Sequence, residues 1–161
     1  MPWPDDRKTR TREKIVQAAA AAFRAGGITN VRVEDVMARA GLTHGGFYAH
    51  FRSKEELLRE AVKHAGDQTL TNLARPLSEA PAERRLQAVI DAYLSPAHVA
   101  HPERGCPLAT LGPEIARTAG RTHGVLAEES VTDSPGCAAF CRRISRRRPP
   151  TIRSSAHSPA W

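Results

Sequence analysis

Two short stretches of helical spacing, separated by a glycine turn of three to four residues, constrain this chain more than any other feature. Apolar residues recur every three to four positions in Val33–Arg39, Gly41 follows, and Thr43–His50 resumes the spacing. Two short helices joined by such a turn form a helix-turn-helix arrangement. In that motif the second helix enters the DNA major groove with its N-terminal residues nearest the bases.

The second of these helices opens on two glycines, Gly45 and Gly46, each of which costs about 1 kcal/mol relative to alanine in a helix. We interpret them as positions where a side chain would stand between the helix backbone and a duplex. Packing of Phe47 and Phe51 then offsets the lost helix propensity. The alternative is that the glycines simply mark a loop.

The flanking sequence predicts further helices of the same small domain. An apolar stripe from Ile15 to Phe23 predicts a first helix, from about Thr9 to Gly26-Gly27. Ser53 begins a capping box for a helix with Leu57, Leu58, Ala61 and Val62 inward, and Thr43 is expected to cap the helix before it. Four charged residues fall outside the first apolar stripe: Arg12, Glu13, Lys14 and Arg24.

The middle of the chain remains helical but more interrupted. The helix after Ser53 is expected to stop at Pro76, and Ala82–Leu94 is predicted as an amphipathic helix. Its inward residues are expected to be Leu86, Val89, Ile90, Tyr93 and Leu94. The segment 95–107 is predicted as a loop by its prolines, and helix resumes over 108–117, bent or restarted at Gly112-Pro113.

Composition favours a polyanionic partner. The 161 residues carry a formal net charge of +7 with a pI near 10.0, which is typical of proteins that bind nucleic acid or acidic surfaces. No window approaches the roughly 18 apolar residues of a membrane span, and the N-terminus has no secretory h-region. We therefore expect a cytoplasmic protein without a membrane partner. Its 3 cysteines do not form a disulfide framework.

The stretch from about Thr9 to Val62, with its glycine turn, "FYAHF" and "SKEEL", resembles the DNA-binding head of the TetR/AcrR family of bacterial transcriptional regulators. Gly105–Arg117, "GCPLATLGPEIAR", is similar to the early ligand-binding domain of one branch of that family. The resemblance implies an all-α fold: a three-helix helix-turn-helix head (9–62) followed by a partial helical ligand-binding and dimerisation domain (63–120). It also implies a homodimeric transcriptional repressor that binds double-stranded DNA. A small-molecule effector is expected to relieve the repression.

Carried over by position, the resemblance assigns DNA contacts to seven residues. Thr43, His44, Gly45 and Tyr48 match the groove-facing helix, and His50 and Lys54 match positions near phosphate. Arg32 stands where the family often has a capping Ser or Thr, which removes a cap worth about 1 kcal/mol and supplies a cation. Tyr48 has the alternative of being core, and Lys54 and Arg32 of being solvated charges.

Arg7, Lys8 and Arg10 precede the predicted first helix, and we interpret them as a disordered arm that trails along phosphate.

Enzymatic and metal-binding interpretations have little support. His98-x-x-His101 with Cys106 nearby matches no closed zinc set, and the prolines around it indicate a loop. Cys106 has no activating base in a catalytic context. We expect no catalytic residues, no metal and no cofactor.

From residue 121 the composition changes to an irregular, arginine-, proline- and serine-rich segment (121–161), which is typical of disorder. Translation of a GC-rich gene in a shifted frame produces the same composition, and we expect a frame change near 118–130. Three functions stay open: a ligand-responsive repressor, whose dimer function is incomplete if interface helices are absent, a non-specific basic DNA-binding protein, and a small helical scaffold.

Overall fold

The structure is a computed structural model that describes residues 4–117. Every regular element in that range is a helix, which confirms the predicted all-α class for this part of the chain. The α-helices are α1 (Pro4–Gly26), α2 (Val33–Arg39), α3 (Lys54–Glu79), α4 (Arg85–Tyr93), α5 (Pro96–Ala100) and α6 (Pro107–Arg117). Turns of 3₁₀ helix occupy His44–Ala49, Ala82–Arg84 and Pro102–Arg104. The predicted basic segment 121–161 lies outside the described residues.

Helix α1 begins earlier than predicted. Arg7, Lys8 and Arg10 lie inside it, so the predicted disordered arm before the first helix is wrong for these residues. The Arg10 guanidinium pairs with the Asp6 carboxylate at 2.8 Å, one helical turn away, which supports the added turns. The helix ends as predicted at Gly26, and Gly27 adopts a φ of +79°, the left-handed conformation that glycine tolerates.

The predicted apolar stripes meet in one core between α1, α2, the 3₁₀ helix and α3. Most of its side chains come from positions that the helical spacing selected, although Ala18 is only half-buried. Five further core residues were not selected: Val16, Ala20, Val31, Ala65 and Leu111. Burial of each large apolar side chain contributes about 1.5–3 kcal/mol relative to exposure. The largest of them are Ile15, Phe23, Met37, Phe47, Phe51 and Leu57.

Helix α3 starts at the predicted cap and continues past its predicted end. The Ser53 hydroxyl accepts a hydrogen bond from the Glu56 N–H at 3.2 Å, and the Glu56 carboxylate accepts one from the Arg52 N–H at 2.8 Å. Pro76 does not stop the helix, which runs to Glu79. Proline removes only one helical N–H, and burial of Leu77 immediately after it holds the last turn in place. The predicted domain boundary at 62/63 therefore lies within a continuous helix.

The predicted helix Ala82–Leu94 is divided, and its apolar face is only partly covered by the residues that the structure describes. It consists of the Ala82–Arg84 turn followed by α4, in which no residue is fully buried. Leu86, Ile90 and Leu94 are exposed, so their predicted inward position is wrong. Spacing identifies an apolar face, but only neighbouring elements decide whether that face is buried. Val89 and Tyr93 are half-buried.

The segment predicted as a loop contains α5 and the Pro102–Arg104 turn. The Ser95 hydroxyl caps α5 by accepting from the His98 N–H at 3.3 Å, and Pro96 fits the first helical turn. Helix α6 then runs without interruption through Gly112 and Pro113, at the point where a bend or restart was predicted.

Arg24, predicted to lie outside the apolar stripe, is buried with 6% of its surface exposed. Its guanidinium donates to the carbonyl of Ala20 at 3.0 Å, to the carbonyl of Gly105 at 3.1 Å and to the Gln68 side chain at 3.1 Å. Burial lowers the pKa of this guanidinium. The residue is tolerated inside because its donors are satisfied, and it ties the segment before α6 to α1 and α3.

Helix α6 packs on the head as part of the same folded unit. Leu111 is fully buried in the core, and the Glu114 carboxylate accepts from the N–H groups of Ile28 and Thr29, each at 2.8 Å. The Thr29 hydroxyl donates to the same carboxylate at 2.6 Å. Partial burial raises the pKa of Glu114, but these hydrogen bonds outweigh that effect and hold it below its ordinary value.

Candidate nucleic-acid interface

The predicted helix-turn-helix is present, and its turn depends on one glycine. Gly41 has a φ of +71°, in the left-handed region that favours glycine. The turn is closed by the Leu42 N–H, which donates to the Met37 carbonyl at 2.9 Å. The chain then enters the 3₁₀ helix His44–Ala49, whose position agrees with the predicted second helix.

This second helix is a 3₁₀ helix, and its predicted cap is wrong. Thr43 occupies the N-cap position, but its side chain makes no capping hydrogen bond. A backbone hydrogen bond closes the first turn instead, in which the Thr43 carbonyl accepts from the Gly46 N–H at 3.1 Å. Two glycines at the start give little support to α-helical hydrogen bonding, and 3₁₀ geometry is used in such short pieces.

The two glycines that open this helix are not required by internal packing. A Cβ built on Gly45 would meet nothing within 4 Å, and neither glycine has a positive φ. A Cβ on Gly46 would lie 3.7 Å from the Met37 Cε, which is an ordinary van der Waals contact. The side of the helix at Gly45 therefore faces open space, whereas the side at Gly46 faces Met37.

Two side chains of the 3₁₀ helix, those of His44 and Tyr48, are exposed, and the Tyr48 ring packs against the buried Phe47. Tyr48 is 71% exposed, so the alternative that it belongs to the core is wrong. Its ring contacts the edge of the buried Phe47 ring at a centroid distance of 5.2 Å, and the His44 ring at 6.3 Å. Phe47 in turn stacks on Phe51 at 5.7 Å. This arrangement restricts the orientations of the exposed rings of His44 and Tyr48.

A carboxylate that the sequence analysis did not select lies beside His44. The Glu34 Oε1 is 3.6 Å from the His44 Nε2, and this contact joins the two helices of the helix-turn-helix. Its only sequence signal is its place in the first turn of α2, where acidic residues are common for a different reason, the helix dipole.

Arg32 lies at the surface, as expected of a cation available to phosphate. It provides no side-chain cap for α2, as predicted, and its backbone N–H donates to the Asp35 carboxylate at 3.3 Å. Its DNA contact stays a prediction.

Lys54 is not a freely solvated charge. Its half-buried side chain reaches back to the turn after α1, where the Nζ donates to the Ile28 carbonyl at 2.7 Å. The Nζ also lies 6.0 Å from the centroid of the Phe23 ring. An ammonium has three donors, so this bond does not preclude the predicted phosphate contact, which stays a prediction.

His50 ends the 3₁₀ helix with its Nδ1 buried. That atom has no hydrogen-bond partner among residues 4–117. Burial lowers the pKa of His50, and the nearby charges of Lys8 and Arg12 lower it further. The imidazole therefore favours its neutral form.

Arg12, which the sequence analysis placed outside the apolar stripe, holds this end of the 3₁₀ helix. Its guanidinium donates to the His50 carbonyl, to Glu60, and to the Glu56 carboxylate at 3.1 Å. It also lies 4.1 Å from the centroid of the Phe51 ring. The hydrogen bond to Glu60 is the largest of the effects that raise the pKa of Arg12. Helical spacing carried no signal for contacts this distant in the chain.

The residues considered for a metal site have other contacts. The His98 ring lies 4.8 Å from the Tyr93 ring, and the His101 Nδ1 lies 3.2 Å from Glu103. Within residues 4–117, no group of three or more His, Cys, Asp and Glu side chains is placed to hold a metal ion. In the same range no helix combines the length and the apolar character that a membrane crossing needs.

Comparison with known families gives one match, over the helices described above. Residues 15–61 match the model described as bacterial regulatory proteins, tetR family. This segment covers the second half of α1, the helix-turn-helix and the first turns of α3.

Several bacterial proteins are similar to this chain over roughly half of its length. The HTH-type transcriptional repressor Rv3405c of Mycobacterium tuberculosis is 38% identical over 88 residues, which is 51% of this chain and 45% of that protein. The HTH-type transcriptional regulator SrpR of Pseudomonas putida is 33% identical over 88 residues, 55% of this chain and 40% of the relative. An uncharacterized HTH-type transcriptional regulator of Bacillus subtilis, YfiR, is 28% identical over 89 residues. The chain spans less than half the length of these three relatives.

Proposed function

We propose that the chain, whose residues 15–61 match the tetR family of bacterial regulatory proteins, is a sequence-specific DNA-binding transcriptional repressor. The observation that carries the proposal is the exposed edge formed by His44, Gly45 and Tyr48. It stands at the start of the second helix of a helix-turn-helix, where the motif presents side chains to the major groove. The open space at Gly45 allows the backbone there to approach a duplex closely.

We propose that the cations around this edge supply the phosphate contacts. Arg32 lies just before α2, Lys54 lies at the start of α3, and Lys8 is close enough to His50 to lower its pKa. Such contacts set the register of the protein on the duplex, whereas the side chains of the 3₁₀ helix select the bases. The partner is double-stranded DNA in the bacterial cytoplasm.

Homodimerisation and relief of repression by a small-molecule effector complete the proposal. The exposed apolar residues of α4 and α5 support it, because a patch of this kind usually packs against further polypeptide or ligand. A molecular mass in solution of twice the chain mass supports the dimer, and a monomeric mass contradicts it. The residues concerned are Leu86, Ile90, Leu94 and Val99.

Non-specific DNA binding is the second candidate function, favoured by the net charge of +7. The two candidates differ in how affinity responds to salt and to sequence. Non-specific binding has a Kd of about 10⁻⁴–10⁻⁶ M at physiological salt and falls steeply as salt rises, equally for all sequences. A repressor retains a preference for its selected site as salt increases.

Alanine substitution of His44 or Tyr48 tests the proposed function. We expect each variant to lose about 1–3 kcal/mol of discrimination between selected and random DNA, because each loses a base-edge or adjacent contact. The measurement is a gel-shift titration at several salt concentrations, with a duplex enriched from a random library by the wild-type protein. His101→Ala, far along the chain in another turn, is the control. Wild-type preference in both His44 and Tyr48 variants would contradict the assigned site.

The paired substitutions Gly45→Ala and Gly46→Ala test the reason for the glycines. We expect Gly45→Ala to stabilise the fold by about 0.5–1 kcal/mol and to weaken DNA binding by about tenfold, because its methyl group enters the space left for the duplex. Gly46→Ala points its methyl group toward Met37 and is expected to change DNA affinity less than threefold. Denaturant unfolding and gel shift measure the two effects. Equal affinities of both variants would refute the close-approach account.

A further inference from the structure

A carboxylate lies beside the proposed DNA-contacting edge. Glu34 projects from the first turn of α2, and its Oε1 lies 3.6 Å from the His44 Nε2. The side chains are 58% and 49% exposed, respectively, so solvent or a duplex has access to both.

The contact between Glu34 and His44 is not explained by a contribution to the stability of the fold. Ion pairs between side chains this exposed contribute little to the free energy of folding, since water screens them. A negative charge at this place also opposes phosphate and therefore weakens any binding that depends on charge alone. The helix dipole explains a negative charge in the first turn of α2, whereas the choice between sequences explains why that charge lies against His44.

We propose that Glu34 is a specificity-determining residue for DNA, an inference that rests on the proposed function. Its carboxylate orients the His44 imidazole and offers an acceptor for an exocyclic amino group of a base, as acidic side chains do for the cytosine N4 in the major groove. At a site without such a donor, the carboxylate is left facing the duplex with nothing to accept, and its charge then disfavours binding.

The neighbouring rings support the orienting role. The His44 ring has two neighbours: the Glu34 carboxylate, 3.6 Å from its Nε2, and the Tyr48 ring, whose centroid is 6.3 Å from its own. Tyr48 in turn rests on the buried Phe47 at 5.2 Å. Removing the carboxylate removes one of the two contacts of the His44 ring, so the orientation of the imidazole is less restricted.

Glu34→Gln in the full chain tests the inference, because it retains the size of the side chain and removes its charge. We expect affinity for random duplex to rise about two- to fivefold, and affinity for the duplex selected by the wild-type protein to fall. The ratio of the two affinities is expected to fall about tenfold. Helical content by circular dichroism and the unfolding midpoint are expected to match the wild type.

Glu83→Gln is the matched control, since it removes the same charge from an exposed residue in the Ala82–Arg84 turn, outside the helix-turn-helix. We expect it to change both affinities less than twofold. In the double variant Glu34→Gln, His44→Ala, the losses of discrimination are expected to be less than the product of the single losses, because the two residues act together.

The outcomes separate the inference from the proposed function. If the wild-type protein selects a sequence and Glu34→Gln discriminates as well as Glu83→Gln, the role of Glu34 is refuted and the repressor proposal stands. If the wild-type protein selects no sequence, both are refuted. A fall in discrimination with a rise in random-duplex binding supports both.

Discussion

Replacement of Phe47 by alanine is expected to lower the free energy of unfolding by about 3–5 kcal/mol, the largest effect of any substitution considered for this protein. Phe47 is 1% exposed and stacks on Phe51 beneath the 3₁₀ helix. Alanine leaves a cavity that close-packed neighbours fill only in part. The helix that contains Phe47 has two glycines and a 3₁₀ backbone, so its intrinsic stability is too low to compensate for the lost packing.

Urea unfolding followed by circular dichroism measures this change, with Phe47→Leu as the control. Leucine retains most of the apolar volume and is expected to cost less than about 1.5 kcal/mol. Loss of Phe47 also removes the ring on which Tyr48 rests, so the alanine variant is expected to lose sequence preference even where it remains folded. A Phe47→Ala variant as stable as the wild type would mean that the 3₁₀ helix is not anchored through the core.

Replacement of Arg12 by alanine is expected to lower the free energy of unfolding by about 2–3 kcal/mol. The guanidinium is 33% exposed and bonds Glu56, Glu60 and the His50 carbonyl, so its loss leaves two carboxylates without their cation. Partial exposure keeps the expected loss below that of a fully buried pair. Arg12→Lys retains the charge but lacks the planar fork, and it is expected to recover about half of the loss.

Arg10→Ala is the control for this experiment, because the Arg10–Asp6 pair is exposed and is expected to contribute less than about 0.5 kcal/mol. If the two alanine variants are equally stable, the Arg12 contacts do not hold the structure together.

The Arg12 variant is also expected to alter the pH dependence of stability. The pKa of Glu56 lies below its ordinary value of 4.5, first because its carboxylate accepts from the Arg52 N–H and then because it accepts from Arg12. A carboxylate with a lowered pKa in the folded state contributes stability above its unfolded pKa and loses it as the pH falls through the folded value. Without Arg12, the loss of stability below pH 4.5 is expected to be shallower.

Contacts between segments that are distant in the chain show where local sequence stops being informative. Arg12 and His50 are 38 positions apart, and Glu114 and Ile28 are 86 apart. Hydrophobic periodicity and capping signals report on neighbours within a few turns of one helix, so they contain nothing about such pairs. Arg24 illustrates the same limit, because a charged side chain outside an apolar stripe is expected to be exposed, whereas contacts with Gly105 and Gln68 accompany its burial.

The exposed face of α4 shows that apolar spacing along a helix does not by itself predict burial. The spacing of Leu86, Ile90 and Leu94 correctly marks one apolar side of a helix, and that side is exposed. Amphipathic spacing is set within one helix, whereas burial requires a second element that packs against the apolar face.

The amino-acid sequence by itself determined the helices of the head, the glycine turn between two of them, the Ser53 cap and the aromatic residues of the core, because these features depend on interactions within one or two helical turns. Tertiary structure alone decided that Arg12 and Arg24 hold separate segments together. It alone placed Glu34 beside His44, since those outcomes depend on how distant segments approach one another in space.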